Sequence, residues 1–501
     1  MAAELGTLLL RTDAAPRMGT GHVMRCLALA QAWQDAGGQP VFVMAESLPG
    51  IDSRLEAERM RVERLPTAPA SDADARQCLE MARRLSAAWL VLDGYHFDDR
   101  FEQSVKKDGL QLLVLDDYGH ARHDAADLVL NQNLHAEASL YPARDRARVL
   151  LGPAFALLRR EFVRCRDWTR QVPERADKLL VTLGGVDADN VTRKVIDALE
   201  QQSGELEAVV VVADNNPHLR DLEAAAQRCQ GVVRLLRHVQ NMPELMMWAD
   251  MAVAAGGTTS WERAFFGLPG LVIILADNQR PVAEALDKEG LARNLGWHGE
   301  LSVSALAEAI HQLRSDRERR MTAARVGPRC VDALGAQRVL GFMHDYAVAL
   351  RPARSEDCRL LWEWANDPAV RSVSFSTEAI PWERHEQWFA AKLNARTCIL
   401  LLAENGHGTP IGQVRCDVKG DEGTISISMA PPCRGHGQGT RAIRKAAALL
   451  FARHGLTVLH ALIREGNVAS LRAFTHAGFR EAEDTTVRGH RAKRLEMRKE
   501  K

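Results

Sequence analysis

The chain has 501 residues, 65 of them basic and 65 acidic, and so carries no net formal charge. That length exceeds what one hydrophobic core supports and predicts two or three units, while the balanced charge gives no electrostatic footprint for nucleic acid or an anionic membrane. No basic-then-apolar leader opens the sequence and no apolar run reaches about eighteen residues, so a cytoplasmic small-molecule enzyme is expected. The nine cysteines form no C-x-x-C pair, which argues against a disulfide framework or a structural zinc.

From Leu8 to about Leu340 short apolar runs alternate with helical patterns. "LLLRTD", "PVFVMAE", "WLVLDGY", "LLVLDD" and "DLVLNQN" form a first series; "KLLVTLGG", "AVVVVAD", "ADMAVAAGG" and "GLVIILAD" form a second. Such alternation predicts two parallel sheets with crossover helices, hence an α/β class of two doubly wound halves facing one cleft. Domains are expected over 1–165 and 166–346, joined by a charged, Pro-containing segment near Arg164 to Lys178. After that the texture changes. "LLWEWAND" and "ERHEQWFAAKL" read as short amphipathic helices, and "CILLLAE", "TPIGQVRCDV" and "GTISISMA" alternate with period two as antiparallel strands. A separate α+β domain is therefore expected over 347–501.

The first chemical constellation lies in "MGTGHVMRCLALAQAW", where two glycines and His22 stand at a strand-to-helix turn. A helix start disfavours an imidazolium, so a neutral His22 there suits a general base. Arg11 and Asp13, ending the preceding strand, are expected to reach the same cleft. Met24 occupies the third glycine position of G-x-G-x-x-G, which disfavours a dinucleotide fingerprint. In the second series "TLGGVDADN" places Gly184 and Gly185 after a strand. "AAGGTTSWERAFFGLPGLVI" places Gly256, Gly257, Thr258, Ser260 and Glu262 at another strand-to-helix turn, and Asn278 and Gln279 follow "VIILA". Glycine turns at the ends of parallel strands are where an open sheet holds a nucleotide, and Glu262 is suited to two ribose hydroxyls. His120 and His123, in "YGHARHD", lack an evident third ligand and are expected as solvated surface.

Together, "RTDAAPRMGTGHVMRCLALA", "LVLDGYHFDDRFEQ", "LLVLDDYGHARHDAADLVLNQN", "VTLGGVDADNVT", "GGTTSWERAFFGLP" and "ADNQ" resemble the UDP-sugar hydrolases of pseudaminic acid biosynthesis, which are similar in fold to GT-B glycosyltransferases. The resemblance implies metal-free cleavage of UDP-2,4-diacetamido-2,4,6-trideoxy-β-L-altropyranose into UDP and free sugar. It implies His22 as the base that activates water, Tyr95 and Asn278 facing the sugar beside Asp13, and UDP contacts from Gly184, Gly185, Gly257, Thr258, Ser260, Glu262 and Gln279.

In the last domain a strand runs into "RGHGQGT", which supplies Arg434, Gly435, Gly437, Gly439 and Thr440 ahead of a long helix. Glycines there let consecutive N–H groups close on a pyrophosphate. "NVASLRAFTHAGF" follows, with Asn467 and Ser470 at the spacing typical of GNAT acetyltransferases, which the two motifs together resemble. Acetyl-CoA is then the implied co-substrate, and the front of the domain is similar to the acetyltransferase of the same sugar pathway, acting on the 4-amino group of a UDP-linked amino sugar. GNAT enzymes often carry a tyrosine where this chain has Phe474, so the acid for the CoA thiolate is left to water, to His476 or to no group; Cys433 needs no nucleophilic role. A glycosyltransferase fused to an acetyltransferase, and a non-catalytic nucleotide-sugar-binding regulator, are the alternatives.

Overall fold

The structure, a computed structural model, describes residues 5–106, 110–142, 147–184, 187–202, 206–213, 216–229, 232–237, 239, 241–435 and 437–499. The chain divides into two compact units, Leu5–Leu340 and the residues from Gly341 onward.

The first unit holds two parallel sheets. One comprises β1 (Thr7–Thr12), β2 (Gln39–Met44), β3 (Arg61–Arg64), β4 (Ala87–Asp93), β5 (Gln111–Leu115), β6 (Leu128–Asn131) and β7 (Arg148–Leu151), in the order β3-β2-β1-β4-β5-β6-β7. The other comprises β8 (Lys178–Thr182), β9 (Glu207–Val211), β10 (Val233–Leu236), β11 (Met251–Ala255), β12 (Gly270–Ile274) and β13 (Ala292–Trp297), in the order β10-β9-β8-β11-β12-β13. Both are doubly wound, as the alternating apolar runs predict. Central strands such as β1 and β11 are buried on both faces, which is why they read as unbroken apolar runs. In each sheet the strand order reverses between its first and fourth strands in sequence, β1/β4 and β8/β11. Open α/β sheets bind ligands in the crevice at such a reversal.

The segment around Arg164 to Lys178 is not a loose tether. Leu158 and Phe162, just ahead of it, join the core of the second half, and Val163, Cys165 and Trp168 pack on that core. The Arg170 guanidinium donates to the carbonyls of Phe266, Ala249 and Met246 at 2.8, 2.6 and 2.6 Å.

In the second unit β14 (Ala349–Pro352), β15 (Cys398–Glu404), β16 (Pro410–Lys419), β17 (Glu422–Met429), β18 (Val458–Arg464), β19 (Arg480–Glu481), β20 (Thr485–Val487) and β21 (His490–Arg498) form one sheet in the order β14-β15-β16-β17-β18-β21-β19, with β20 on β21. All its pairs are antiparallel except β17 with β18, which are parallel and paired only over Glu422–Thr424 and Val458–His460. Beyond that register both strands run on unpaired with each other and splay apart. The expected amphipathic helices span Cys358–Ala365 and Trp382–Asn394 on one face of the sheet, and the long helix Gln438–Arg453 packs on the other. Among the described residues no helix is long and apolar enough to cross a membrane.

Candidate active site

His22 is the second residue of the helix Gly21–Asp35, which follows β1 across the loop over 13–20. Asp93 ends β4, the neighbour of β1 across the reversal, although 71 residues separate the two in sequence. His22 Nδ1 lies 2.6 Å from Asp93 Oδ1. A carboxylate can only accept, so Nδ1 carries the hydrogen and Nε2 is the basic nitrogen of the neutral ring. Arg25, one turn along, donates to Asp93 from both Nε and Nη2 at 2.7 Å and to Asp117 Oδ1 at 2.8 Å. Burial works against the Asp93 charge, but Arg25 and His22 outweigh it and hold the carboxyl below its ordinary value. Asp117 is likewise brought down to about 2: burial opposes the charge, and Arg25 overcomes it with help from Tyr95.

The Tyr95 hydroxyl donates to Asp117 Oδ2 at 2.6 Å, and its ring meets His22 edge-on with centroids 4.9 Å apart. Burial first, and the Asp117 charge next, push Tyr95 far above the ordinary phenol value, so it remains a neutral donor. Asn278, from the second half, donates to the Tyr95 oxygen at 3.1 Å. The turn that carries it packs close to Gly256: a Cβ there would stand 3.1 Å from Gln279 Cβ and 3.2 Å from Gln279 O. The turn after β11 thus approaches closely the turn that carries Asn278, and a side chain at Gly256 would require the latter to shift by a few tenths of an ångström. The two halves also approach where a Cβ on Gly21 would lie 3.5 Å from Thr258 Oγ1. The start of the His22 helix therefore faces the glycine turn of β11.

The expected UDP contacts have mixed surroundings. Gly184, just after β8, and Gly257 have open space where a Cβ would be, as a close backbone approach to a ligand requires; Gly185 lies outside the described residues. Thr258 caps the helix Thr259–Phe265. Ser260 is fully buried and its hydroxyl has no hydrogen-bond partner among the described residues. Glu262 pairs with Arg159 Nη2 at 2.9 Å, and burial raises its carboxyl despite that partner. Gln279 Oε1 accepts from the Leu275 amide at 3.0 Å.

Two expectations need correction. Asp13 does not open into the cleft: it is fully buried, accepts from the amides of Ala45 and Glu46 at 2.7 and 2.9 Å, pairs with Arg11 at 2.7 Å and faces His96 Nε2 at 3.4 Å. Arg11 in turn grips Asp74. The chain turns inward after β1, so these residues tie β1, β2 and the helix Asp72–Arg84 together. Nor are His120 and His123 solvated surface. His123 is 1% exposed, its Nδ1 is 2.6 Å from Glu102 Oε1, and its Nε2 is 3.8 Å from Asp116 Oδ2; His120 Nδ1 is 2.6 Å from Asp116 Oδ1. Asp116, His120 and His123 together have a metal-ligand complement. Yet 2.6 Å is a hydrogen-bond distance, shorter than the roughly 3.3 Å between two ligands of a tetrahedral zinc. One proton therefore joins His120 to Asp116 and another joins His123 to Glu102, and these bonds anchor the loop carrying Asp117.

Burial lowers the His123 pKa, but the nearby carboxylates of Asp116 and Glu102, the latter hydrogen-bonded to it, raise it further, to about 9 against an ordinary 6.5. A raised folded-state value stabilises the fold fully below pH 6.5, and that contribution is lost as the pH climbs through 9. Urea midpoints should fall across this window, and His123→Phe should flatten the slope; an equal slope in both proteins would remove His123 from the stability profile.

Arg25, Asp93, Asp117 and Asn133, whose Nδ2 donates to Asp117 Oδ1 at 2.8 Å, complete the site but were not expected from sequence. The signal was an arginine on an otherwise apolar helix, "HVMRCLALA", and aspartates closing two apolar strands.

In the second unit Gly437 caps the helix Gln438–Arg453 with φ +70°. Gly435, also at positive φ, precedes it with open space on its side-chain side, and Thr440 is half-buried in the helix. A Cβ on Gly439 would lie 3.4 Å from Met429 Cγ, so this helix start sits against the end of β17, beside the splay. Arg434 spans the same end, donating to Met429 O at 3.0 Å and Asp367 Oδ1 at 2.8 Å. Asn467 caps the helix Val468–Ala477 by accepting from the Ser470 amide at 3.1 Å. Phe474 is buried edge-on against Phe479, centroids 5.1 Å apart. His476 is exposed at the end of the same helix. The four tyrosines are 95, 118, 141 and 346, so none lies within 347–501.

Residues 178–329 match the glycosyltransferase family 28 C-terminal domain, and residues 348–480 match the acetyltransferase (GNAT) domain. An uncharacterized protein of Methanocaldococcus jannaschii is 21% identical over 94% of this chain and 96% of its own length. The UDP-2,4-diacetamido-2,4,6-trideoxy-β-L-altropyranose hydrolase of Campylobacter jejuni is 24% identical over 56% of this chain and 97% of its own. The spore coat polysaccharide biosynthesis protein SpsG of Bacillus subtilis is 25% identical over 44% and 65%. Among solved structures, spermidine N-acetyltransferase from Vibrio cholerae with CoA and spermine is similar to 30% of this chain and 95% of its own, at 18% identity and TM-score 0.28. The chain thus joins a glycosyltransferase-28-like region to a GNAT domain.

Proposed function

We propose that residues 5–340 hydrolyse UDP-2,4-diacetamido-2,4,6-trideoxy-β-L-altropyranose to UDP and free sugar, and that the GNAT domain N-acetylates the 4-amine of the precursor UDP-amino sugar. The observation that carries the reading is the His22–Asp93 pair at the β1/β4 reversal, opposite the glycine turn of β11. His22 Nε2 takes a proton from water as the oxygen attacks the anomeric carbon, and the bond to the UDP oxygen breaks. UDP leaves as an anion toward the backbone N–H groups after β8 and β11, so no protein acid is required. Asn278 donates its second amide hydrogen to the sugar from one side of the cleft, and the Tyr95 ring, whose hydroxyl hydrogen is held by Asp117, walls the other. The 24% identical hydrolase, which this chain matches along 97% of its length, supports the substrate.

In the other reaction the amine attacks the thioester carbonyl, the C–S bond breaks, and the amine's proton goes to the CoA thiolate. Acetyl-CoA lies in the splay between β17 and β18 with its pyrophosphate on the Gly435–Thr440 turn. Phe474 supplies no proton, and solvent closes the balance. The product of the acetyl transfer is the substrate of the hydrolysis, which gives the fusion its logic. Purified protein given the diacetamido sugar nucleotide alone should release UDP; release that requires an added acceptor sugar would identify a glycosyltransferase instead.

A further inference from the structure

On the sheet of the second unit the two faces differ in kind. Val414, Cys416 and Ile425 point into the apolar core beneath the helix Gln438–Arg453. Side chains alternate along strands, so Gln413, Arg415, Ser426 and Ser428 point to the opposite face, and the pairs Gln413–Ser428 and Arg415–Ser426 stand directly across from each other. The Arg415 guanidinium lies 5.6 Å from the Trp388 ring centroid, which fixes this as the face covered by the helix Trp382–Asn394.

This face is incompletely satisfied near the splay. Gln413 Oε1 and Ser428 Oγ are shielded from solvent and have no hydrogen-bond partner among the described residues, as do Arg371 Nε and Arg434 Nη2. An unpaired buried polar atom is costly, and a ligand is one way to satisfy it. The charge is also one-sided. Arg415 and Lys392 share Asp417, and Arg434 takes Asp367. Among the described residues Arg371 donates only to the carbonyls of Ser376 and Glu378 and to Ser374 Oγ, and Arg464 only to the carbonyls of Ser372 and Ser374. These two guanidiniums have no carboxylate partner among the described residues, and both bind the 372–378 segment where β18 leaves β17.

We infer that this face is the acetyl-acceptor groove, with Gln413 and Ser428 holding the amine-bearing ring and Arg371 and Arg464 supplying the field for a phosphate group on the acceptor. The inference rests on the acetyltransferase reading above and adds to it the residues that choose the amine. Two uncompensated cations repel a polyamine and attract an amine that carries a diphosphate.

The test uses the full chain with acetyl-CoA and follows CoA thiol release with three amines: a UDP-linked 4-amino-4,6-dideoxy sugar, the same sugar without UDP, and spermidine. The UDP-linked amine should be preferred in kcat/KM by about a hundredfold, since charge-assisted contacts contribute about ten- to a hundredfold each. Gln413→Leu and Ser428→Val should raise the KM of both sugars. Arg464→Gln should raise the KM of the UDP-linked sugar alone by roughly tenfold, leaving the KM of acetyl-CoA unchanged. Because Arg464 also holds a loop, Arg464→Lys keeps the charge and should recover most of the loss. Equal use of both sugars, preference for spermidine, or unchanged acceptor KM in all the variants overturns the groove. So does acetyl-CoA binding with transfer to none of the three. Absence of acetyl-CoA binding in calorimetry fails the acetyltransferase reading instead.

Discussion

Replacing His22 with alanine is expected to slow UDP release from the diacetamido sugar nucleotide by roughly 10²–10⁴, the usual contribution of a positioned general base, with UDP affinity nearly unchanged. The two effects separate because the ring contacts Asp93 and Tyr95, while the turns proposed for the diphosphate follow β8 and β11. Asp93→Asn should bring a comparable loss. An amide can donate to Nδ1 and so stabilise the tautomer whose Nε2 carries the hydrogen, which cannot accept one from water. It also loosens Arg25, which grips both carboxylate oxygens of Asp93. The double variant should be little worse than either single one, because both changes act through one ring. Single-turnover rates with calorimetric UDP affinities decide the matter: near wild-type turnover in His22→Ala removes the histidine from the mechanism.

Why some of this was legible before the structure follows from burial. Strands buried on both faces, such as β1 and β11, leave unbroken apolar runs. β3, "RVER", is exposed at both ends and half-buried between; its composition resembles a loop, and only pairing with β2 makes it a strand. His22, Tyr95 and Asn278 were legible because each follows an apolar run, where α/β sheets place their chemistry. Their partners were not. Asp93 meets His22 because β4 lies beside β1, a fact of strand order that linear sequence does not encode. The same strand-end rule misplaced Asp13, since one residue beyond β1 the backbone turns and directs that carboxylate onto the amides of Ala45 and Glu46. His123 misled for the converse reason: a polar-looking loop is buried once Glu102 and Asp116 arrive from elsewhere in the chain.

In the second unit the largest loss is expected at Gly437. Its φ of +70° at the cap of Gln438–Arg453 is a conformation that costs an L-residue roughly 1–2 kcal/mol. Gly437→Ala therefore measures backbone strain alone. Among the described residues a Cβ there would meet only the Arg441 guanidinium, from 3.6 Å, so the alanine protein should fold and keep part of its acetyl transfer. Gly437→Trp adds an indole in the space proposed for the pyrophosphate, and acetyl-CoA binding and acetyl transfer should both vanish. Hydrolysis of the pre-acetylated sugar nucleotide should continue at the wild-type rate, because the residues proposed for it lie within Leu5–Leu340, a separate compact unit. Comparing UDP release and CoA release in one preparation makes the two chemistries internal controls for each other. If the tryptophan variant is folded by circular dichroism yet loses hydrolysis as well, the two sites are energetically coupled and the division of labour between the units is wrong. If it keeps acetyl transfer, the pyrophosphate does not lie on the Gly435–Thr440 turn.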